Sequence, residues 1–328
     1  MEEYSRYPME NAVRIIRRSI YTFLQKYQCF TTTGALLVFP FAGLVLLAEA
    51  SVPSSSLLQV IHIRLQSLFD AAGFPRSLEF FTILNLKLSQ TIATSFLVFP
   101  FTLTFFLFAK AFIIQVLYSY KPISQSVIPT ISSLYSPLFV TQLFNMLIII
   151  SANATSFCLL LFAFNVVDGL GLLNMKSLLF FSATAAVLYS IILANALIIC
   201  NLGLILSGME KCGGYFAILK ACVLIRGRTA TALSLALPIN MALAATEALF
   251  QYRIVGDYYH SETPKSSMVF EGMFIAYLYS VLLILDTIVC CEFYRSCKAS
   301  NQLDLETGHY YLIEFQAQDA NAFENQRH

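Results

Sequence analysis

Apolar residues in this chain gather in long unbroken blocks, where a soluble fold would interrupt them with polar positions at helix or strand period. A helix needs about 20 apolar residues to cross the ~30 Å hydrocarbon core of a bilayer. Six blocks reach that length, at roughly 29–49, 89–109, 137–164, 178–206, 231–250 and 268–291. The pattern predicts an all-α fold, a polytopic membrane helix bundle with six transmembrane helices. Pro40, Pro100 and Pro238 fall inside blocks, which membrane helices tolerate because neighbouring groups satisfy the freed carbonyls. No span is predicted between the first two blocks.

Outside the blocks the period changes. Val13, Ile16, Ile20, Phe23, Leu24 and Tyr27 share one face of a helix, with Arg14, Arg17, Arg18, Gln25 and Lys26 on the other side. A basic amphipathic helix before a span is expected to lie in the headgroup plane. A second such segment precedes the fifth block. There Tyr215, Phe216, Ile218, Leu219, Cys222 and Ile225 mix with Lys211, Lys220 and Arg226. A weaker third, Ile123 to Ser133, precedes the third block. Together they suggest a threefold unit of surface helix, span out and span back. Two echoes do not follow that period: Leu37-Val-Phe-Pro-Phe41 recurs as Leu97-Val-Phe-Pro-Phe101, and Pro40 precedes Glu49 by the interval that separates Pro238 from Glu247. The expected organisation is a cytosolic N-terminus (1–28) with its interfacial helix, a six-span domain (29–291) and a cytosolic C-terminal tail (292–328).

Charge then orients the bundle. With the N-terminus inside, thirteen Lys and Arg fall on cytosolic segments and six on the opposite side, leaving Lys110 at a span end. The positive-inside rule therefore places both termini in the cytosol. The first 28 residues lack the short apolar core and cleavage site of a signal peptide, so the first block is expected to act as its own insertion signal. Only 12% of residues are charged, against about 25% in soluble domains, and the net charge is +1. That balance gives no basic stripe for nucleic acid. The eight cysteines form no CxxC pair, so neither a zinc set nor a disulfide framework is expected.

Candidate chemistry is sparse. Lys110, Asn145, Asn195, Asn201, Asn240, Glu247 and Asp286 lie within blocks, and Glu49 at a block end. Polar groups in hydrocarbon are costly and mark functional candidates, with interhelical hydrogen bonding as the alternative. Arg14, Arg17, Arg18, Lys220, Arg226 and Arg228 are candidates for the membrane interface. Cys290, Cys291 and Cys297, beside Arg295 and Lys298, are candidates for S-acylation, with buried thiols as the alternative. Ser182, Ala186, Ser190 and Ala194 recur every four residues, a row suited to close packing inside the bundle. All four histidines lie outside the blocks, and neither HExxH nor GxSxG occurs. No catalytic set and no cofactor site are expected.

Glu210, Gly213 and Gly214, Lys220 and the triplet Arg226-Gly227-Arg228, followed by the stretch from Asp286 to Tyr311, carry a resemblance. This pattern is similar to a land-plant family of six-span membrane proteins of uncharacterised activity, some labelled as binding polyadenylate-binding protein. The resemblance implies an integral membrane protein with no established reaction. The expectation is a non-enzymatic organiser or recruiter in the endomembrane system or plasma membrane. Its partners would be membrane lipids and cytosolic proteins, not nucleic acid. The alternative is a transporter or channel for a small or lipid-like solute.

Overall fold

The computed structural model describes residues 8–71, 79–118, 127–171, 175–256 and 266–325, and each apolar block in it is helical. No strand occurs among the described residues. Helix α1 (Pro8–Gln25) is followed by a π-helical turn (Cys29–Gly34) that leads into α2 (Ala35–Ser51). Next come α3 (Ser56–Ala71) and α4 (Glu79–Phe101), and a second π turn (Thr102–Phe106) joins α4 to α5 (Leu107–Tyr118). The long α6 (Val127–Gly169) and α7 (Met175–Glu210) precede the short α8 (Tyr215–Ile225). α9 (Thr229–Phe250) ends in a third π turn (Gln251–Val255), and α10 runs from Ser266 to Asn325.

Six helical stretches are long and apolar enough to cross a membrane: Cys29–Ser54, Thr82–Tyr118, Ile131–Val167, Leu179–Glu210, Thr229–Val255 and Ser267–Ser300. They contain the six predicted blocks almost entirely. α10 is the axis of the bundle, packing against α1, α2, α5, α7 and α9. Its Ile275, Ile284 and Ile288 are fully buried, together with Leu46 of α2 and Ile113 and Ile114 of α5. The same helix continues past Ser300 to Asn325, through the segment read as the C-terminal tail.

Three features depart from the sequence reading. α3 fills the connection between the first two spans. Its Leu58 and Phe69 are buried, and Phe69 packs against Phe157 and Phe164 of α6. At 16 residues and with Gln59, His62 and Arg64 in it, α3 is too short and too polar to register as a span. The third surface helix does not exist as a separate element among the described residues. α6 begins at Val127 and runs unbroken, so Ile131 and Leu134 are buried within it; residues 123–126 lie outside the described residues. Finally, the small-residue row on α7 is not closed inside the bundle, because Ala186 and Ser190 are exposed.

Candidate functional site

Charged side chains concentrate at the end of the bundle where α1, the end of α5, the α7–α8 turn, the start of α9 and α10 meet. α1 reaches it through its small residues. Ala12, Ile15 and Ser19 are buried, whereas Val13, Ile20, Leu24 and Tyr27 stay exposed. The single apolar face read from the sequence is therefore two strips, a narrow one against protein and a bulky one outward. Arg14, Arg17 and Arg18 lie further round the helix.

Beneath α1, Glu292 of α10 is only 2% exposed. Arg18 Nε lies 3.0 Å from its Oε2, and Arg295 donates to Oε1 at 2.9 Å. Arg295 also donates to the Leu117 carbonyl at 2.7 Å, and Lys26 donates to the Val116 carbonyl at 2.6 Å. These carbonyls belong to the last turn of α5, which has no intrahelical donors and carries the negative end of the helix dipole. Cations are what that terminus requires. Glu292 thus holds Arg295 in the position from which it caps α5, and α1, α5 and α10 become one unit.

A second cluster centres on Glu210, the last residue of α7. Lys220 of α8 donates to its Oε2 at 2.7 Å, Tyr294 of α10 donates to Oε1 at 2.8 Å, and Lys298 Nζ lies 4.0 Å away. The hydrogen bond to Glu210 and then its charge hold the Lys220 ammonium above the usual lysine pKa. Arg228, at the start of α9, donates to the Cys297 carbonyl at 3.2 Å and to Ser300 Oγ at 2.9 Å. Of the predicted interface cations, then, Arg18, Lys220 and Arg228 bond to protein. Arg14, Arg17 and Arg226 are exposed and make no ion pair among the described residues.

The turn between α7 and α8 explains the glycines there. α7 stops at Lys211, which takes a left-handed φ of 55° and so acts as a helix terminator. A Cβ on Gly213 would sit 2.9 Å from the Pro137 Cα of α6, so only glycine permits that approach. Gly214, at φ 77°, donates its N–H to Thr141 Oγ1 at 2.9 Å. The chain then returns along α7, with Ala217, Ile218, Ala221 and Ile225 buried and Tyr215, Phe216, Leu219 and Val223 exposed.

The intramembrane polar residues do not assemble into one site. Lys110 is 3% exposed, with Nζ 4.6 Å from the Phe106 ring centroid and its charge acting on Asp286 across the α5–α10 contact. Asn145 donates to the Cys200 carbonyl at 3.0 Å, joining α6 to α7. Asn195 donates to Ile191 of its own helix, Asn201 is half-buried and Asn240 is exposed. At the opposite end, Tyr279 donates to Glu247 at 2.7 Å, and the charge of Glu49 also reaches this tyrosine. Cys291 and Cys297 are buried and Cys290 is half-buried against the core, so these thiols face protein and not the surface where an acyl chain would be attached. The exposed cysteines near this end are Cys212 and Cys222. No group of three or more metal-ligating side chains occurs among the described residues. Sequence reading missed Glu292, whose i,i+3 spacing to Arg295 on a continuing helix was the available signal.

A family model described as a domain of unknown function, DUF8558, matches residues 9–310. The chain belongs to that family. The matched region takes in both charged clusters and stops within the extension of α10. No curated protein and no solved structure matches the chain.

Proposed function

We propose that the protein is a non-enzymatic multi-pass component of a cellular membrane, with both termini cytosolic, that organises or recruits other proteins. The observation that supports this reading is the charged layer at the α1 end. Glu292, Glu210 and Arg228 tie α1, α5, α7, α8, α9 and α10 together. A layer so constrained is a rigid platform, and Arg14, Arg17 and Arg226 project from it without partners among the described residues. The endomembrane system or plasma membrane fits this reading, as does the land-plant resemblance of the Glu210–Arg228 segment.

Transport of a small solute is the second reading, and Lys110 with Asp286 favours it because both are ionisable groups inside a span. It ranks lower because Asn145, Asn195 and Glu247 each bond within their own helix or to one neighbour and do not line a common path.

The two readings part on Arg226. Arg228→Gln removes the α9–α10 link and is expected to lower abundance. Arg226→Gln touches no bonded partner and is expected to leave abundance and insertion unchanged while cytosolic partners are lost in proximity labelling from the C-terminal tail. An unchanged set of labelled partners in Arg226→Gln would overturn the platform reading.

A further inference from the structure

The helices that carry the two copies of Leu-Val-Phe-Pro-Phe pack together. α2, which holds Leu37–Phe41, packs against α4 and against the π turn that follows Leu97–Phe101. Phe41 stacks on Phe106 of that turn with ring centroids 4.6 Å apart. Beside this stack a groove of about 370 Å³ opens, lined by Leu37, Thr104, Phe105, Phe108 and Tyr135.

The groove has a local cause. Pro100 lacks an N–H and its ring crowds the preceding turn. The chain widens into a π helix over Thr102–Phe106 directly afterwards, a feature that often marks functional positions. Leu107 is turned fully inward, while Phe105 and Phe108 stay exposed along one wall.

The chemistry of the lining narrows the occupant. Thr104 donates its hydroxyl to the Pro100 carbonyl at 3.1 Å, and Tyr135 donates to the Leu103 carbonyl at 2.8 Å. Both hydroxyl protons are thus committed inside the protein, so the groove offers hydrocarbon contact and no free donor beyond it. A phosphate headgroup placed there would lose water and find no donor to replace it. Depth agrees: Thr104 lies roughly 20 Å along the helix from the Tyr118 end of α5, within the interior of a ~30 Å hydrocarbon layer. Leu36, next to Leu37 on α2, is exposed, as are the lining Phe105 and Phe108, so the groove opens onto the apolar outer surface of the bundle.

We propose that this groove binds one acyl chain of a bilayer phospholipid, held between α2, α5 and α6. The test uses the full chain in nanodiscs of phosphatidylcholine carrying a diazirine near the middle of one acyl chain, with cross-links mapped after photolysis. Labelling should concentrate on Phe105, Phe108 and Tyr135 over the lipid-facing Leu188 and Leu237. Leu37→Trp and Thr104→Phe fill the groove from opposite walls. Each should lower groove labelling about tenfold, equivalent to about 1.4 kcal/mol, and leave Leu188 and Leu237 unchanged. Equal labelling of groove and lipid-facing positions in the unaltered protein would overturn the proposal. So would groove labelling that survives both substitutions. Displacement of the phospholipid label by an unlabelled sterol or free fatty acid would assign the groove to that lipid and equally overturn the phospholipid assignment.

Discussion

A carboxylate as buried as that of Glu292 persists as an ion only while it is paired, since taking a charge out of water costs several kcal/mol. Its two partners are not equivalent. Arg295 also caps α5, whereas the Arg18 side chain is 68% exposed. Removing Glu292 leaves Arg295 without the carboxylate that positions it on α5 and empties a buried site, whereas a solvent-screened pair such as that of Arg18 contributes ~0–1 kcal/mol. Glu292→Ala should therefore lower thermal stability in a fixed detergent strongly, and Arg18→Gln only slightly. Equal losses for the two would show that the exposed arginine carries the contact. Gly213 offers a second residue-level test. Gly213→Ala places a methyl 2.9 Å from the Pro137 Cα, where backbone and not a mobile side chain must yield. Overpacking of this kind costs roughly 1–3 kcal/mol, and a melting temperature indistinguishable from that of the unaltered chain would rule the close approach out. Glu292 did not stand out in the sequence, and Gly213 did so only as a turn residue. Glu292 falls just past an apolar block, and Gly213 reads as a helix breaker because a sequence shows the turn but not the helix it touches.

At the scale of elements, length and period proved sufficient for the six spans, because a bilayer imposes one dimension on every crossing helix. The same criteria could not see α3, whose 16 residues bury Leu58 and Phe69 against neighbours that are distant in sequence. Faces were legible only in part. On α1 the sequence gives polarity but not which apolar strip meets protein, a choice made by size, with Ala12 and Ser19 allowing the approach to α10 and α9. The outward strip of Val13, Ile20, Leu24 and Tyr27 is left for the headgroup–acyl boundary, with Arg14 and Arg17 beside anionic headgroups, each contributing about 1 kcal/mol near such a surface. The chain contains no tryptophan, so a single introduced one reports without background. Ile20→Trp and Leu24→Trp in nanodiscs should emit to the blue and be quenched by brominated lipid, and Tyr21→Trp should do neither. Red, unquenched emission at all three positions would place α1 away from the membrane surface.

For the whole molecule, the contact of Arg18 with Glu292 fixes a relation that neither helix states alone. The N-terminal helix and the extension of α10 lie at one end of the bundle, which requires an even number of crossings, as six helices provide. That end carries Arg14, Arg17, Arg18, Lys26, Lys211, Lys220, Arg226, Arg228, Arg295 and Lys298, while Arg64, Lys87 and Arg253 belong to segments nearer the other. Several of the ten are engaged with Glu210, Glu292 or helix carbonyls. The asymmetry nevertheless operates during insertion, before such bonds exist, and the positive-inside rule counts Lys and Arg whatever their later partners. Exposed Cys212 at the charged end gives a direct reading of side. In sealed right-side-out vesicles an impermeant maleimide should leave it unmodified until the membrane is opened. Ser261→Cys, in the 257–265 segment, made on a chain in which Cys158, Cys212 and Cys222 are replaced by serine, should react at once from outside. The reverse order of labelling would invert the bundle and place Arg14, Arg17 and Arg226 away from the cytosol. With them would go the recruiting platform, whereas an acyl-chain groove deep within the bilayer would stand in either orientation.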